Sequence, residues 1–263
     1  MRNEVDYTRI MALEESPWFE DEDFWLHFAP VMFSADRWAR SREEMEKASV
    51  ILGLGAGARV LDTCCGVGRH AVELHDLGFR VTGVDRLQTY LDAARETAAE
   101  IAGEIEFVLE DVRRFVRPGF FDGAINMFTS MGYFVELEDE LMFLKNIYDS
   151  LRPGGAFLID VMGKEILAKY FKPTEWYEDD CGLVLAEYTI LDGWTHLHNR
   201  WIVVTDEGRY EYSFAHRVFS GAELSLLLKK AGFETVEVYG SLNRIPYDQN
   251  AERLVAVGRK EPG

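Results

Sequence analysis

Apolar positions in the middle of the chain switch repeatedly between strand-like and helix-like spacing. Short apolar runs recur from residue 59 onward, and the segments between them carry apolar residues at helical intervals. The predicted strands of this region are residues 59–62, 80–85, 106–109, 123–128 and 156–161. Strands that alternate with helices predict βαβ units, a parallel sheet and helices packed on both of its faces.

The pattern changes in the last third of the chain. Three strand-like segments joined by glycine-containing turns occupy residues 183–219 and predict an antiparallel β insertion in the α/β pattern. Ser220 and Glu223 have the spacing of a capping box, which predicts the start of a helix. Two closing strands are predicted at residues 233–239 and 254–259.

The first 50 residues are rich in aromatic and acidic side chains and predict short helices. Ser16-Pro17 is typical of a helix start, because proline is favoured at the first helical position. Ser41 and Glu44 also have capping-box spacing and predict a helix start before Met45. The expected parts are an N-terminal helical cap over residues 1–50, an α/β domain over 51–174 and 220–263, and the insertion over 175–219, as a substrate cap or a dimer element.

Charge and composition narrow the classes of function. The chain has 263 residues and a formal net charge of −18, and so acidic a surface repels the phosphate backbone of DNA or RNA. No apolar run reaches roughly 18 residues and no signal peptide is evident, so a cytoplasmic location without a membrane partner is expected. Cys64, Cys65 and Cys181 favour free thiols, and no cluster has zinc-ligand spacing, so no metal is expected.

The strongest chemical signal is the segment 60–69, where a predicted strand runs through a glycine turn into a helix. Glycines let a ligand approach the backbone, and a helix N-terminus favours anionic ligand groups. Ligands of open α/β sheets bind outside the carboxyl ends of the strands, so this turn is placed to bind one. Gly66 and Gly68, with Ala71 and the later Asp85, also fit a loose dinucleotide fingerprint. At this point both NAD and S-adenosylmethionine (SAM) remain open.

The stretch from Val60 to Asp160 resembles the class I SAM-dependent methyltransferases of the small-molecule type, with a methyltransferase domain of the 25/11-like kind. The segments that carry the resemblance are 61–68, 81–85, 107–112, 121–126 and 151–160. The most specific is Leu151-Arg152-Pro153-Gly154-Gly155 before the fifth strand, which a dinucleotide-binding interpretation leaves unexplained. The resemblance implies a Rossmann-like, seven-stranded sheet, mostly parallel with an antiparallel last strand.

The resemblance also implies a set of cofactor contacts. Carried over position by position, these are Cys64, Gly66 and Gly68 around the methionine and ribose, Asp85 on the ribose hydroxyls, Arg86 or Leu87 beside adenine, Asp111 and Val112 at the adenine edge, and Asn126 and Met127 at the methionine end. Cys64 replaces the first glycine of the family motif. A positive φ at that position would strain the backbone of a cysteine.

The acceptor end has a weaker signature. Methyl transfer from a sulfonium mainly requires alignment of the nucleophile, so a dedicated catalytic motif is not needed. The candidate catalytic residues are Tyr133 and His216, the latter as a base, and Arg217 is a candidate anion clamp. By resemblance, Tyr7 belongs to an N-terminal lid over SAM. Further pocket-wall residues expected after the fourth strand are Phe128, Thr129 and Ser130.

Together these features predict methyl transfer from SAM to a nitrogen or oxygen nucleophile of a small molecule, with S-adenosylhomocysteine (SAH) as the product. The Asn/Asp-Pro-Pro-Tyr motif of nucleic-acid amino methylation is missing at residues 126–129, which disfavours a nucleic-acid substrate. The alternatives are a non-catalytic SAM-binding module, an RNA methyltransferase and an NAD-dependent oxidoreductase. Association into a homodimer through the edges of the insertion is left open.

Overall fold

The computed structural model describes residues 17–101, 104–179 and 182–263, so Tyr7, Ser16 and Cys181 lie outside the described residues. The strands are β1 (Arg59–Thr63), β2 (Arg80–Asp85), β3 (Glu106–Leu109), β4 (Phe121–Asn126), β5 (Leu151–Val161), β6 (Thr174–Asp179), β7 (Gly182–Leu191), β8 (His196–Thr205), β9 (Gly208–Arg217), β10 (Thr235–Tyr239) and β11 (Leu254–Arg259). The helices are α1 (Glu22–Met32), α2 (Ala35–Leu52), α3 (Arg69–Asp76), α4 (Gln88–Glu100), α5 (Leu137–Ser150), α6 (Lys164–Tyr170) and α7 (Gly221–Ala231), with a 3₁₀ turn at Trp18–Glu20.

The central sheet has seven strands in the order β10-β11-β5-β4-β1-β2-β3. Neighbours from β5 to β3 pair in parallel, whereas β11 is antiparallel to both β5 and β10. This confirms the predicted mostly parallel sheet with an antiparallel last strand. The strand order reverses between β1 and β4, which in open α/β sheets is where ligands bind at the carboxyl ends.

Alternate residues of the strands pack into two different apolar clusters. Leu61 of β1 joins the cluster that includes α5 and α7, while its neighbour Val60 joins the cluster that includes α2 and α3. Both side chains are fully buried. Since successive side chains of a strand point to opposite faces, the two clusters show that helices cover both faces of the sheet, as predicted.

The insertion forms a second sheet, with four antiparallel strands in the order β6-β7-β8-β9. Its strand β6 was not predicted, because the acidic segment TEWYED lacks the apolar alternation of a half-buried strand. Phe24 and Phe28 of α1 pack against Val184, Val203 and Phe214 of this sheet. Helix α1 therefore packs on the insertion, whereas α2 packs on the central sheet.

The two predicted capping boxes have different outcomes. Ser220 and Glu223 form a complete box at the start of α7, as predicted. The box at Ser41 and Glu44 was predicted wrongly, because α2 begins at Ala35 and both residues lie inside the helix. Their side chains bind residues of α3 instead of the helix backbone N–H groups. In the described ranges, no helix is long and apolar enough to cross a bilayer.

Candidate active site

A cavity of about 810 Å³ lies at the carboxyl edge of the central sheet. Residues that directly follow each of the strands β1 to β5 line it, together with residues of α1, the start of α2 and the insertion sheet. The volume is in the upper part of the range for small-molecule sites, roughly 300–1,000 Å³. Among the residues described, no group of three or more His, Cys, Asp or Glu could hold a metal ion.

Most of the residues predicted for the site contribute to the lining. Cavity-lining candidates are Cys64, Gly66, Asp85, Arg86, Leu87, Asp111, Val112, Met127, Phe128, Thr129, Ser130, Tyr133 and His216. Gly68, Asn126 and Arg217 lie outside it. A Cβ at Gly68 would lie 2.9 Å from the Cβ of Ala94, so this glycine allows α3 to start close to α4. The Nδ2 group of Asn126 donates to the Oγ1 of Thr63 at 3.1 Å, which joins β4 to β1.

The turn after β1 has left-handed backbone at the position where the family motif has glycine. The φ of Cys64 is 56°, a conformation that costs on the order of 1–3 kcal/mol for a non-glycine residue. Burial raises the pKa of the Cys64 and Cys65 thiols well above the ordinary value, so both are neutral near pH 7. A Cβ at Gly66 would lie 3.1 Å from Phe33, so a glycine here keeps this part of the cavity wall open.

Asp85, at the end of β2, is buried and cross-links the glycine turn after β1 to the start of α4. Its Oδ2 accepts from the Gly66 N–H at 2.8 Å, and its Oδ1 accepts from the Leu87 N–H at 3.0 Å. Burial raises the pKa of Asp85, although the backbone N–H groups oppose that shift. Each oxygen of a carboxylate can accept two hydrogen bonds, so Asp85 retains capacity for donors from a ligand.

The carboxylate of Asp111, after β3, already has a partner. Arg113 donates to it from Nε and Nη2, at distances down to 2.6 Å, and also donates to Asp139 at 3.0 Å. Glu20 of the 3₁₀ turn lies 3.1 Å from Arg86 and 3.8 Å from Arg113. The N-terminal segment is thereby attached by ion pairs to the residues predicted to surround adenine.

The exit of β4 carries two consecutive residues in the left-handed region. The φ of Phe128 is 60° and that of Thr129 is 61°. Thr129 is held by a hydrogen bond from its N–H to the Asp160 carbonyl and by one that its Oγ1 accepts from the Met162 N–H, both at 3.0 Å. This strained turn is thus fixed to the end of β5, and the Phe128 ring is held at the cavity wall.

His216 and Asn199 form a polar pair in the insertion sheet. The Asn199 Nδ2 group donates to the Leu197 carbonyl at 3.1 Å, which fixes the orientation of the amide because a carbonyl can only accept. The same Nδ2 lies 3.2 Å from the His216 Nδ1, so Nδ1 must be the acceptor. Burial lowers the pKa of His216 to about 4. With Nδ1 as acceptor, the neutral ring carries its proton on Nε2 and can donate a hydrogen bond there, and the lowered pKa makes the ring a weak base near pH 7.

Tyr133 sits on a loop that a buried carboxylate organises. Glu140 is fully buried, and its Oε1 accepts from the Gly132 N–H at 2.9 Å and from the Phe134 N–H at 3.2 Å. These two bonds flank Tyr133 and fix where its ring enters the cavity. The Oε2 atom has no hydrogen-bond partner in the described part of the chain, and burial raises the pKa of Glu140 to about 7.

Replacement of Glu140 by glutamine is expected to change the pH dependence of stability. The carboxyl of Glu140 binds its proton more tightly in the native state than in the unfolded chain. Its contribution to the free energy of unfolding is therefore complete below about pH 4.5 and is lost as the pH rises through about 7. Between pH 5 and 8, the free energy of unfolding of the wild type should fall by on the order of 2 kcal/mol relative to that of Glu140→Gln. Thermal and urea unfolding at both pH values measure this difference. Glu138→Gln, an exposed change on the same helix, is the control, and equal pH slopes for the two variants would contradict the prediction.

The N-terminal helices close the cavity by hydrogen bonds to both sheets. The Trp18 Nε1 group donates to the Ala215 carbonyl of β9 at 3.0 Å. The Tyr90 hydroxyl, on the side of the central sheet, donates to the Trp25 carbonyl at 2.7 Å. The segment from Trp18 to Trp25 is thus bonded to both sides of the cavity that it covers.

Sequence reasoning missed several residues of the site. Arg37, Asn199 and Trp18 line the cavity, and Glu140 supports its wall. None of them lies in a motif, and each comes from an element that is distant in sequence from the glycine turn. The one available signal was that the predicted strand has polar Asn199 at a position whose alternate neighbours, Leu197 and Trp201, are apolar, since a buried amide requires partners.

Comparison with known proteins agrees with this fold. Residues 60–155 match the family described as "Methyltransferase domain". The protein named "Putative methyltransferase YqeM" of Bacillus subtilis is 24% identical over 208 residues, which cover 77% of this chain and 84% of YqeM. A SAM-dependent methyltransferase from Clostridium acetobutylicum superposes with a TM-score of 0.73 at 17% identity, over 92% of this chain and 98% of that one.

A third similar protein has been solved with SAM bound. It is CalS10 from Micromonospora echinaspora, an amino pentose methyltransferase of calicheamicin biosynthesis. The TM-score is 0.58 at 19% identity, and the alignment covers 86% of this chain and 91% of CalS10. The chain therefore carries a methyltransferase domain at residues 60–155 and has, over most of its length, the fold of these SAM-dependent methyltransferases.

Proposed function

We propose that the chain transfers the methyl group of SAM to a nitrogen or oxygen atom of a small molecule and releases SAH. The observation that carries this proposal is the shape of the cavity. It joins the carboxyl edge of the central sheet to the insertion sheet under the N-terminal helices, with a volume of about 810 Å³. A cavity with these two walls and this volume has room for a cofactor against the central sheet and a small acceptor against the insertion sheet. A net charge of −18 further disfavours nucleic acid.

The residues on the central-sheet side fit SAM. The two carboxylate oxygens of Asp85 can accept from ribose hydroxyls, and Gly66 leaves room beside them where a side chain would meet Phe33. We infer that Arg86 and Leu87 lie beside adenine, Val112 and the Arg113-paired Asp111 at its edge, and Met127 with Cys64 at the methionine. Bound SAM supplies an activated methyl group on a sulfonium. The chain supplies orientation and exclusion of water, which such a displacement chiefly requires.

The residues on the insertion side would receive the acceptor. Tyr133 lies with its ring centre 6.4 Å from that of His216, in an edge-to-face arrangement. We infer that the described helices of residues 1–50 and the insertion, residues 175–219, form the acceptor cap of the α/β domain. An N–H on His216 would donate to an oxygen of the acceptor away from the nucleophilic atom, whose lone pair must stay free to attack the methyl carbon, and it would not remove a proton. An amine acceptor suits this arrangement, and the amino pentose substrate of CalS10 supports it by analogy.

Transfer of labelled methyl from SAM to a panel of amines, amino sugars, phenols and RNA tests the proposal. Methylation of a small molecule is the expected result, and transfer to RNA alone would contradict it. Tight SAM binding with no turnover on any acceptor would instead favour a non-catalytic module. Binding of NADH without binding of SAM would favour the oxidoreductase. Light scattering of the same preparation would show whether the chain forms a homodimer.

Asn199→Asp is expected to move the proton of His216 from Nε2 to Nδ1. The aspartate would accept from Nδ1–H, where the wild-type amide donates to Nδ1. Nitrogen-15 NMR of labelled protein distinguishes the two tautomers directly, and His216→Gln identifies the signal by removing it. Asn146→Asp, a change at an amide bonded to the Val112 carbonyl, is the control and should leave the His216 signal unchanged. A wild-type ring protonated on Nδ1 would exclude the donor role.

A further inference from the structure

Three guanidinium groups surround one aromatic ring in the cavity. The Cζ atoms of Arg37, Arg69 and Arg253 lie 5.4, 4.4 and 5.5 Å from the centre of the Phe128 ring. All four residues line the cavity, at the edge where β4 ends. The chain has a net charge of −18, so a cationic wall inside its cavity is a local reversal of charge that requires an explanation.

Two of these arginines are neutralised by carboxylates, one half-buried and one buried. Arg69 lies 3.1 Å from an oxygen of Glu44. Arg253 forms a two-pronged pair with Asp160, at 2.8 Å from Nε and 3.0 Å from Nη2. These pairs join α2 to α3 and the segment before β11 to β5, so a structural role accounts for both.

Arg37 has no such carboxylate. Its Nη1 group donates to the Met32 carbonyl at 3.0 Å, and over residues 17–101, 104–179 and 182–263 no carboxylate oxygen lies within 4.0 Å of its guanidinium. Burial lowers the pKa of Arg37, while the nearby Tyr177 opposes that shift. Arginine nevertheless stays charged at neutral pH. The wall therefore has three positive charges against two negative ones, and the excess charge is partly desolvated.

We propose that Arg37 binds a carboxylate inside the cavity. The inference rests on the proposed function and extends it, because it specifies a chemical group of a ligand. A guanidinium has five N–H donors in a planar fork that matches a carboxylate, and a charge-assisted pair of this kind is strong where water is excluded. Arg217, the clamp expected from the sequence, lies outside the cavity lining, so Arg37 takes that role.

The bound carboxylate can come from either of two ligands. One is the carboxylate on the amino-acid part of SAM, and the other is a carboxylate of the acceptor. Arg37 stands between Phe128, at the exit of β4, and Tyr177, on strand β6 of the insertion. It thus lies at the border of the cofactor and acceptor sides. The group that binds is the same in either case, and the experiment separates the two sources.

The first measurement uses acetate on the full-length chain without cofactor, with acetamide as its neutral match. NMR of the arginine Nε–H groups reports on the site, and the Arg37 signal is identified by its loss in Arg37→Gln. Acetate, and not acetamide, is expected to shift the Arg37 signal. If the shift disappears once SAH is bound, the cofactor carboxylate is the ligand. If it persists in the SAH complex, the acceptor carboxylate is the ligand.

The second measurement is calorimetric binding of SAH and of 5′-methylthioadenosine, which has the adenosine and thioether of SAH but no carboxylate. If Arg37 contacts the cofactor, Arg37→Gln should weaken the affinity for SAH by about 10- to 100-fold and leave the affinity for methylthioadenosine unchanged. For an acceptor contact, both affinities should stay at the wild-type value. Arg40→Gln is the matched control, because Arg40 lies one turn further along α2, is exposed and donates to the Asp36 carbonyl.

The proposal is overturned if acetate leaves the Arg37 signal unmoved in the free chain and Arg37→Gln binds SAH like Arg40→Gln. Wild-type protein that binds neither SAH nor methylthioadenosine would contradict the proposed methyltransferase function instead. In that case, the acetate titration of the free chain still decides whether Arg37 binds a carboxylate.

Discussion

Asp85→Ala is expected to weaken SAM binding by at least about 100-fold, which corresponds to about 2.7 kcal/mol. The substitution removes the carboxylate that accepts from the Gly66 and Leu87 N–H groups. Charge-assisted hydrogen bonds of this kind contribute about 1.5–3 kcal/mol each. Because the bonds shape the turn and the same oxygens are proposed to meet the ribose, the variant should lose both the prearranged turn and the direct contact.

Calorimetric titration with SAM and SAH measures the effect of Asp85→Ala. Asp92→Ala is the matched control, because Asp92 is an exposed carboxylate on α4 that accepts from Gln88 and Arg95. Asp85→Asn separates charge from shape. Its amide keeps one acceptor but places an NH₂ group against a backbone N–H, so an intermediate loss is expected. If a folded Asp85→Ala variant binds SAM with an affinity within about threefold of that of the wild type, Asp85 does not contribute to the cofactor site.

The fold was predictable because its strands are short apolar runs separated by strong turn and helix signals. The central sheet and the hairpins of the insertion follow from local patterns that the structure does not override. Strand β6 was missed because it contributes no buried apolar side chain: Glu175 lines the cavity and Glu178 is exposed. Its pairing with β7 supplies the stabilisation that its own sequence does not indicate.

The cavity wall on the side of the central sheet could be predicted from the sequence, because one turn and the neighbouring strand ends form it. The wall on the side of the insertion could not. Arg37 and Asn199 lie 162 positions apart and meet at the cavity only through packing of α2 and the insertion. Ser41 and Glu44 show the same limit, since a pattern that caps α7 elsewhere is used here for buried contacts with Arg69 and His70.

Gly132→Ala is expected to lower the free energy of unfolding by about 3 kcal/mol or more, through strain and overlap together. The φ of Gly132 is 105°, and a Cβ there would lie 2.3 Å from the carbonyl oxygen of Arg217. The Gly132 carbonyl also accepts from the Arg217 N–H at 2.7 Å. This contact joins the loop that carries Tyr133 to strand β9, so the loop and the insertion would have to separate to admit a methyl group.

Gly119→Ala separates the two causes. Gly119 has a φ of 62°, and a Cβ there would have nothing within 4 Å, so only backbone strain, about 1–2 kcal/mol, is expected. Thermal unfolding should therefore show a drop of roughly 6–12 °C for Gly132→Ala and a few degrees for Gly119→Ala. If the two variants have the same melting temperature, the contact between the Tyr133 loop and strand β9 yields easily to a methyl group. The insertion would then be free to move away from the central sheet, and the acceptor side of the cavity could open without help from the N-terminal helices.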